Sequence, residues 1–213
     1  RSGHEVTVAA GVGDWPKADI AILHVDLSVV PEIYLEACKR YRVVVHAAAT
    51  DIRKSRVSRH LLKPDDGWDG PVIIKTDLNC GGLPEQRTLI LSQRRGTEPG
   101  LPNDHVVSTR SPYPVLDSLS EVPDSVWNNP GIVVEKFLPE HDSRGYWSRI
   151  WVFFGDRERC TRCRGVDPIV KGSGFLEREP CGVPDEIRAE RERLGFDYGK
   201  FDFVMHAGEA VLL

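Results

Sequence analysis

Three short segments carry residue types that handle phosphate, purine and divalent cations. In PVIIK, Val72, Ile73 and Ile74 form an apolar run that ends on Lys75, and Gly81 and Gly82 follow in a polar loop. A strand that delivers an ammonium beside a glycine pair makes a phosphate site. The lysine supplies a point charge, and backbone N–H groups without a neighbouring Cβ approach phosphate oxygens closely. The alternative is an edge-strand lysine followed by hairpin glycines. In IVVEKFLPEHD, a strand exit presents Glu135 and Lys136 and then a hydrophobic pair, whose backbone N–H and C=O groups can meet a purine edge, while Asp142 can accept from ribose hydroxyls. The alternative is a strand end with ordinary alternating charge. In YGKFDFV, the two-residue period of a strand puts Lys200 and Asp202 on one face. A carboxylate there suits Mg²⁺, which takes one or two carboxylates together with phosphate oxygens. The alternative is an intrastrand ion pair.

Other groups carry less. Neither G-x-x-x-x-G-K-[ST] nor G-x-G-x-x-G occurs. Cys160 and Cys163 form a C-x-x-C, with Cys181 and His206 elsewhere. Zinc needs four converging ligands, and plain thiols account for the spacing better. Cys163 has no histidine at a spacing that would make it a nucleophile. Arg149, Arg162 and Arg164 are either a clamp for a substrate carboxylate or solvated strand-face charges. Lys171, Gly172 and Gly174 read as a flexible loop or lid.

These residues need elements to position them. EVTVAA reads as a strand, ADIAILHVD as a buried parallel strand, Pro31–Tyr41 as a helix and RVVVHAAA as another buried strand. That β-β-α-β order predicts an open, mostly parallel sheet. Asp51–Leu62 has helical composition, with Asp51 near the N-terminus, and KPDDGWDGP is a loop. Arg94–Pro114 is rich in Gly, Pro, Ser and charge and reads as a mobile segment or an insertion. YWSRIWVFFGDRERCTRCRG predicts a hairpin around Gly155-Asp156, Pro184–Leu194 a charged helix, and DYGKFDFVMHAGEAVLL a second hairpin around Ala207-Gly208. The fold class is therefore α/β followed by α+β.

Composition narrows the function class. The 213 residues are 40% hydrophobic and 28% charged, with a net charge of -4. No basic patch points to nucleic acid, and no apolar run approaches the roughly 20 residues that span a bilayer. Five scattered cysteines read as reduced thiols of a cytoplasmic protein rather than a disulfide framework. Both ends read as cut: the first residues lead directly into a strand, and AVLL is a strand that stops.

The three segments, in this order, resemble the ATP-grasp superfamily, with its glutathione synthetase-like and D-alanine–D-alanine ligase-like members. The resemblance implies an ATP-grasp fold in which residues 1–50 are a partial Rossmann-like pre-ATP-grasp unit, 51–134 the small subdomain and 135–213 the large antiparallel subdomain. It assigns Lys75, and more weakly Lys54, to ATP phosphates, with Gly81 and Gly82 in the adjoining loop. Glu135 and Lys136 meet the adenine, the backbone of Phe137 and Leu138 reads its edge, and Asp142 takes the ribose. Asp202 binds Mg²⁺, Lys200 stands near the transferred phosphate, and Arg149 lies on a cleft-facing strand. The family's next carboxylate, followed two residues on by Asn, falls beyond AVLL. The implied activity is an ATP-dependent carboxylate–amine (or thiol) ligase that forms a carbon–nitrogen bond through an acyl phosphate. Its implied partners are ATP, Mg²⁺ and small-molecule carboxylates and amines, with a homodimer left open. The other readings are a nucleotide-binding regulatory module without turnover and an ATP-grasp kinase.

Overall fold

The structure is a computed structural model that describes residues 3–9, 11, 13, 15–95 and 113–213. Near the N-terminus, β1 (Ile20–Ile22), α1 (Glu32–Cys38) and β2 (Val43–Val45) form one β-α-β unit. Its strands run parallel, with Ile20 opposite Val43 and Ile22 opposite Val45. The open, buried sheet expected here is reduced to this pair. Residues 5–9 form no strand, and Val6 and Val8 are exposed. Apolar alternation does not hold a strand that lacks a hydrogen-bonding neighbour. The other two strands are not buried as expected, since Ile20, Ile22 and Val43 are each about half exposed on one face.

The second layer is a three-stranded antiparallel sheet of β3 (Val72–Thr76), β4 (Val115–Leu116) and β5 (Ile132–Lys136), ordered β4-β3-β5. One face buries Val72 and Val134 against Leu62, Leu119 and Val122. The helix expected over Asp51–Leu62 is only α2 (Lys54–Val57). Residues 60–62 leave the helix to pair with β5 instead: Leu62 donates to the Val134 carbonyl at 2.9 Å, and Lys136 donates to His60 at 2.9 Å. Directly after the glycine pair, α3 (Leu83–Arg95) begins where a loop was expected. Most of the expected insertion, residues 96–112, lies outside the described residues; after it come β4 and the short helix α4 (Asp124–Trp127).

The third layer is a six-stranded antiparallel sheet. It contains β6 (Glu140–Asp142), β7 (Gly145–Phe154), β8 (Arg157–Gly165), β9 (Glu177–Pro180), β10 (Tyr198–His206) and β11 (Glu209–Leu212), with α5 (Asp185–Leu194) packed on it. Both hairpins turn where the sequence predicts, at Gly155 (φ 54°) and at Ala207-Gly208 (φ 50° and 89°). Trp151, Phe153, Phe201 and Phe203 pack with Ile187 of α5 as the core of one face. The opposite face carries Ile150 and Val152, set against Asp202 and Lys200, because directly opposed residues share a face. After α5, Gly195 adopts the left-handed cap conformation (φ 70°), and a Cβ there would meet Ala48 Cβ at 2.7 Å. This close approach seats the N-terminal unit on the large sheet. Among the described residues no helix is long and apolar enough to cross a membrane.

Candidate functional site

The β3–β5 register sets Ile73 opposite Glu135 and Lys75 opposite Val133. These four therefore share the face of the small sheet turned away from the Val72–Val134 core. There Lys75 Nζ meets Glu135 Oε2 at 2.6 Å, with both side chains buried. Lys54, buried on α2, donates from Nζ to the Leu78 carbonyl at 3.0 Å. Asp77 anchors that short helix, accepting from the Ser55 amide at 2.7 Å and its hydroxyl at 2.9 Å. Burial, and then the neighbouring Lys75 ammonium, push the Lys54 pKa down. Lys75 thus pairs with Glu135, whose other oxygen, Oε1, is buried without a partner, while Lys54 bonds the Leu78 carbonyl and feels Glu135 and the buried Asp77 through space. Two buried ammoniums, Lys54 and Lys75, and two buried carboxylates, Glu135 and Asp77, therefore lie together here.

The turn at Asn79–Gly82 lies beside these lysines. Cys80, Gly81 and Gly82 are consecutively left-handed (φ 48°, 67° and 70°), and both glycines are buried. At Gly81 and Gly82 no Cβ stands between the backbone and an approaching phosphate oxygen. Tyr113 lies close by, its phenol pushed up by burial, and Lys171 Nζ sits 5.2 Å from its ring centroid.

A cavity of about 460 Å³ lies beside the strand exit, lined by Val115, Phe137, Asp167, Pro168, Ile169 and Lys171. Two expectations change here. Lys136 does not join Lys75. It is opposite Val72 and places its ammonium 4.7 Å over the Trp68 ring, on the other face of the sheet. The Phe137 amide already donates to the Pro71 carbonyl at 2.9 Å, so it is not free to read a purine edge.

On the large sheet, Lys200 and Asp202 share a face and form an ion pair of 2.7 Å through Oδ2. Asp202 Oδ1 is buried with no hydrogen-bond partner. A carboxylate oxygen that meets no protein donor fits a cation. Among the described residues no group of three or more His, Cys, Asp or Glu is placed to hold one, so a cation at Asp202 would need ligands besides this carboxylate.

Arg149 and Asp142 do not belong to that face. Arg149 is opposite Phe203 and Arg162, one residue out of phase with Asp202. Its guanidinium grips Glu140 with two bonds of 2.9 Å, Arg162 Nε adds a third contact at 3.0 Å, and the Met205 amide a fourth at 2.8 Å. Asp142 accepts from the Arg144 amide at 2.8 Å and from Arg162 at 3.0 Å. Its carboxyl is held down to about 2 by the nearby Trp147 indole N–H, the Arg144 amide and Arg162. Arg149 is thus neutralised rather than poised, and Asp142 is occupied by arginine.

Glu140 has no expected role in the sequence, yet it is the hub of this network. Burial raises its pKa, but the Arg149, Met205 and Arg162 contacts outweigh that and lower it overall. A depressed carboxylate stabilises the fold above its unfolded pKa, and that stability is lost as pH falls through the folded value. We expect Glu140→Ala to cost about 3–5 kcal/mol in urea unfolding near neutral pH, because two part-buried arginines lose their counter-ion. The difference from the parent should shrink in acid. A cost under about 1 kcal/mol would show that the hub is solvated.

The C-x-x-C does not converge. Cys160 is opposite Trp151 and Cys163 opposite Ser148, an odd spacing that puts them on different faces. His206 Nδ1 is engaged by the Pro139 carbonyl at 3.0 Å.

No protein-family model matches the chain, and no curated protein matches it. Solved structures do. A Chryseobacterium gregarium RiPP-associated ATP-grasp ligase, in complex with ADP and a leader and core peptide, is 10% identical with a TM-score of 0.36, covering 69% of this chain and 46% of that one. Macrocyclase MdnB from Microcystis aeruginosa is 15% identical with a TM-score of 0.36, covering 84% and 56%. Macrocyclase MdnC from the same organism, bound with precursor peptide MdnA, is 11% identical with a TM-score of 0.34, covering 68% and 40%. The chain therefore spans about half the length of the solved structures it is similar to.

Proposed function

We propose that this chain is the ATP-holding part of an ATP-grasp ligase. The observation that carries the reading is the pair of buried lysines, Lys54 and Lys75, gathered with Glu135 beside the left-handed turn of Cys80–Gly82. In this reading Lys54 and Lys75 hold ATP phosphates with the turn's amides, and the base enters the cavity at Phe137. The divisions at residues 50 and 134 are part of the same proposal. Mg²⁺ at Asp202 supplies charge neutralisation to the phosphate oxygens. A substrate carboxylate takes the γ-phosphoryl group and ADP leaves; an amine or thiol then attacks the acyl carbon and phosphate leaves. The protein's part is positioning and charge stabilisation. Titrating the intact protein with ATP and GTP in Mg²⁺ buffer tests it. We expect ATP binding at least about tenfold tighter, a difference of 1.4 kcal/mol. No binding, or equal affinity for GTP, removes the adenine assignment.

A second reading, a nucleotide-binding module without turnover, is favoured by one observation. Arg149, the expected catalytic arginine, is fully engaged by Glu140 on the face opposite Asp202. ADP release measured over a library of carboxylates and amines separates the two.

A further inference from the structure

Cys160 lies on β8 and Cys181 one residue beyond β9. The β8–β9 register pairs Thr161 with Pro180, so the next step sets Cys160 directly against Cys181. The Cys181 amide donates to the Cys160 carbonyl at 3.2 Å, and the two sulfur atoms are 3.3 Å apart. Directly opposed residues on antiparallel strands have Cα atoms roughly 4.5–5.5 Å apart, inside the window that a disulfide bridges. Both thiols are free. Cys160 is buried against Trp151 and Ile187, whereas Cys181 is only half-buried. Cys163 lies on the other face of the sheet and does not compete.

We propose that Cys160 and Cys181 are a redox modification site, a pair that closes reversibly to a disulfide when met by a low-molecular-weight disulfide oxidant. Cys181, the more accessible thiol, loses its proton, and its thiolate attacks one sulfur of the oxidant. The oxidant's S–S bond breaks and one thiolate leaves. Cys160 then loses its proton and attacks Cys181 Sγ, the mixed disulfide breaks, and the second thiolate leaves. Two protons are released and two electrons pass to the oxidant.

Cys160 is the reluctant partner. Burial and its contact with Cys181 push the thiol up to about 12, while the neighbouring Arg149 guanidinium acts in the opposite direction. The closing step therefore sets the rate and quickens as pH rises. The crosslink also has a structural reach. Residues 160–181 include Asp167, Pro168, Ile169 and Lys171, which line the cavity at Phe137. A disulfide at 160 and 181 ties both stems of that segment together.

The test uses the whole chain, incubated with oxidised glutathione near pH 8, alkylated, digested without reductant and read by mass spectrometry. The expected result is a loss of about 2 Da as two thiol hydrogens leave. One crosslinked peptide pair should join Cys160 to Cys181, and dithiothreitol should reverse it. Cys181→Ser should abolish the mass loss and Cys163→Ser should keep it. A stable glutathione adduct on Cys181 without closure overturns the proposal. So does a crosslink through Cys163, or full alkylation of both thiols after the oxidant. The parent digest decides the matter even where a variant fails to fold, and it does so independently of nucleotide binding.

Discussion

Lys75→Ala should weaken nucleotide binding and destabilise the fold, two effects that a paired variant separates. Lys75 is 8% exposed and its partner Glu135 4% exposed. Truncating the lysine leaves a buried carboxylate without its counter-ion, which costs about 3–5 kcal/mol. The lost charge-assisted contact to phosphate removes a further 1.5–3 kcal/mol from binding, about 10- to 150-fold in affinity. Lys39→Ala is the control. That lysine is exposed on the end of α1 and pairs with the exposed Glu36, so the change should shift neither quantity by more than about 1 kcal/mol. The decisive variant combines Lys75→Met with Glu135→Leu. Replacing both members of a buried pair by apolar residues of similar volume is often neutral, so chemical denaturation should return it close to the parent while calorimetry shows no ATP binding. If the double variant bound ATP like the parent, the pair would be structural and the phosphate site would lie elsewhere.

This pair also shows how far the sequence could be read. The apolar run of Val72–Ile74 ending in Lys75 is legible because a strand inside a layered fold leaves few other readings. The partnership with Glu135 is not, because it depends on the β3–β5 register across 60 residues. The hairpins were legible for a local reason: Gly155-Asp156 and Ala207-Gly208 interrupt alternating runs with residues that accept positive φ. A turn centred there also sets Arg149 opposite Arg162, which the sequence alone could have supplied. It could not supply the phase between β7 and β10, which puts Arg149 on one face and Asp202 on the other. Glu140 was missed because its partners lie on β7, β8 and β10. Helix α3 was missed for a different reason. The glycine pair read as a loop, although Pro84 in the first turn followed by Glu85 is a helix-start signal. The helix expected over Asp51–Leu62 failed because pairing with β5 outweighed its helical composition.

Asp202→Asn should abolish the Mg²⁺ dependence of nucleotide binding and leave stability nearly unchanged. The pair with Lys200 is 57% and 38% exposed, so its loss costs no more than about 1 kcal/mol. The amide keeps the shape of the carboxylate, so the packing of Val204 and Phe203 beside it stays intact. What changes is Oδ1, the buried oxygen that meets no donor in the protein. As part of an anion it can ligate a hard cation; as an amide oxygen it is a far weaker ligand for Mg²⁺. Calorimetry with and without Mg²⁺ should therefore show a metal-dependent gain for the parent and none for the variant, with similar affinities when the metal is withheld. If the chain serves the ligase proposed above, turnover should fall at least about 100-fold, or about 2.7 kcal/mol of barrier. Lys200→Met supplies the contrast. It frees Oδ2 as well, so Mg²⁺ binding should persist while phosphoryl transfer slows, if the ammonium acts on the transferred group. A variant at Asp202 that kept the full metal-dependent gain would place the cation elsewhere and leave the Lys200–Asp202 pair as surface charge.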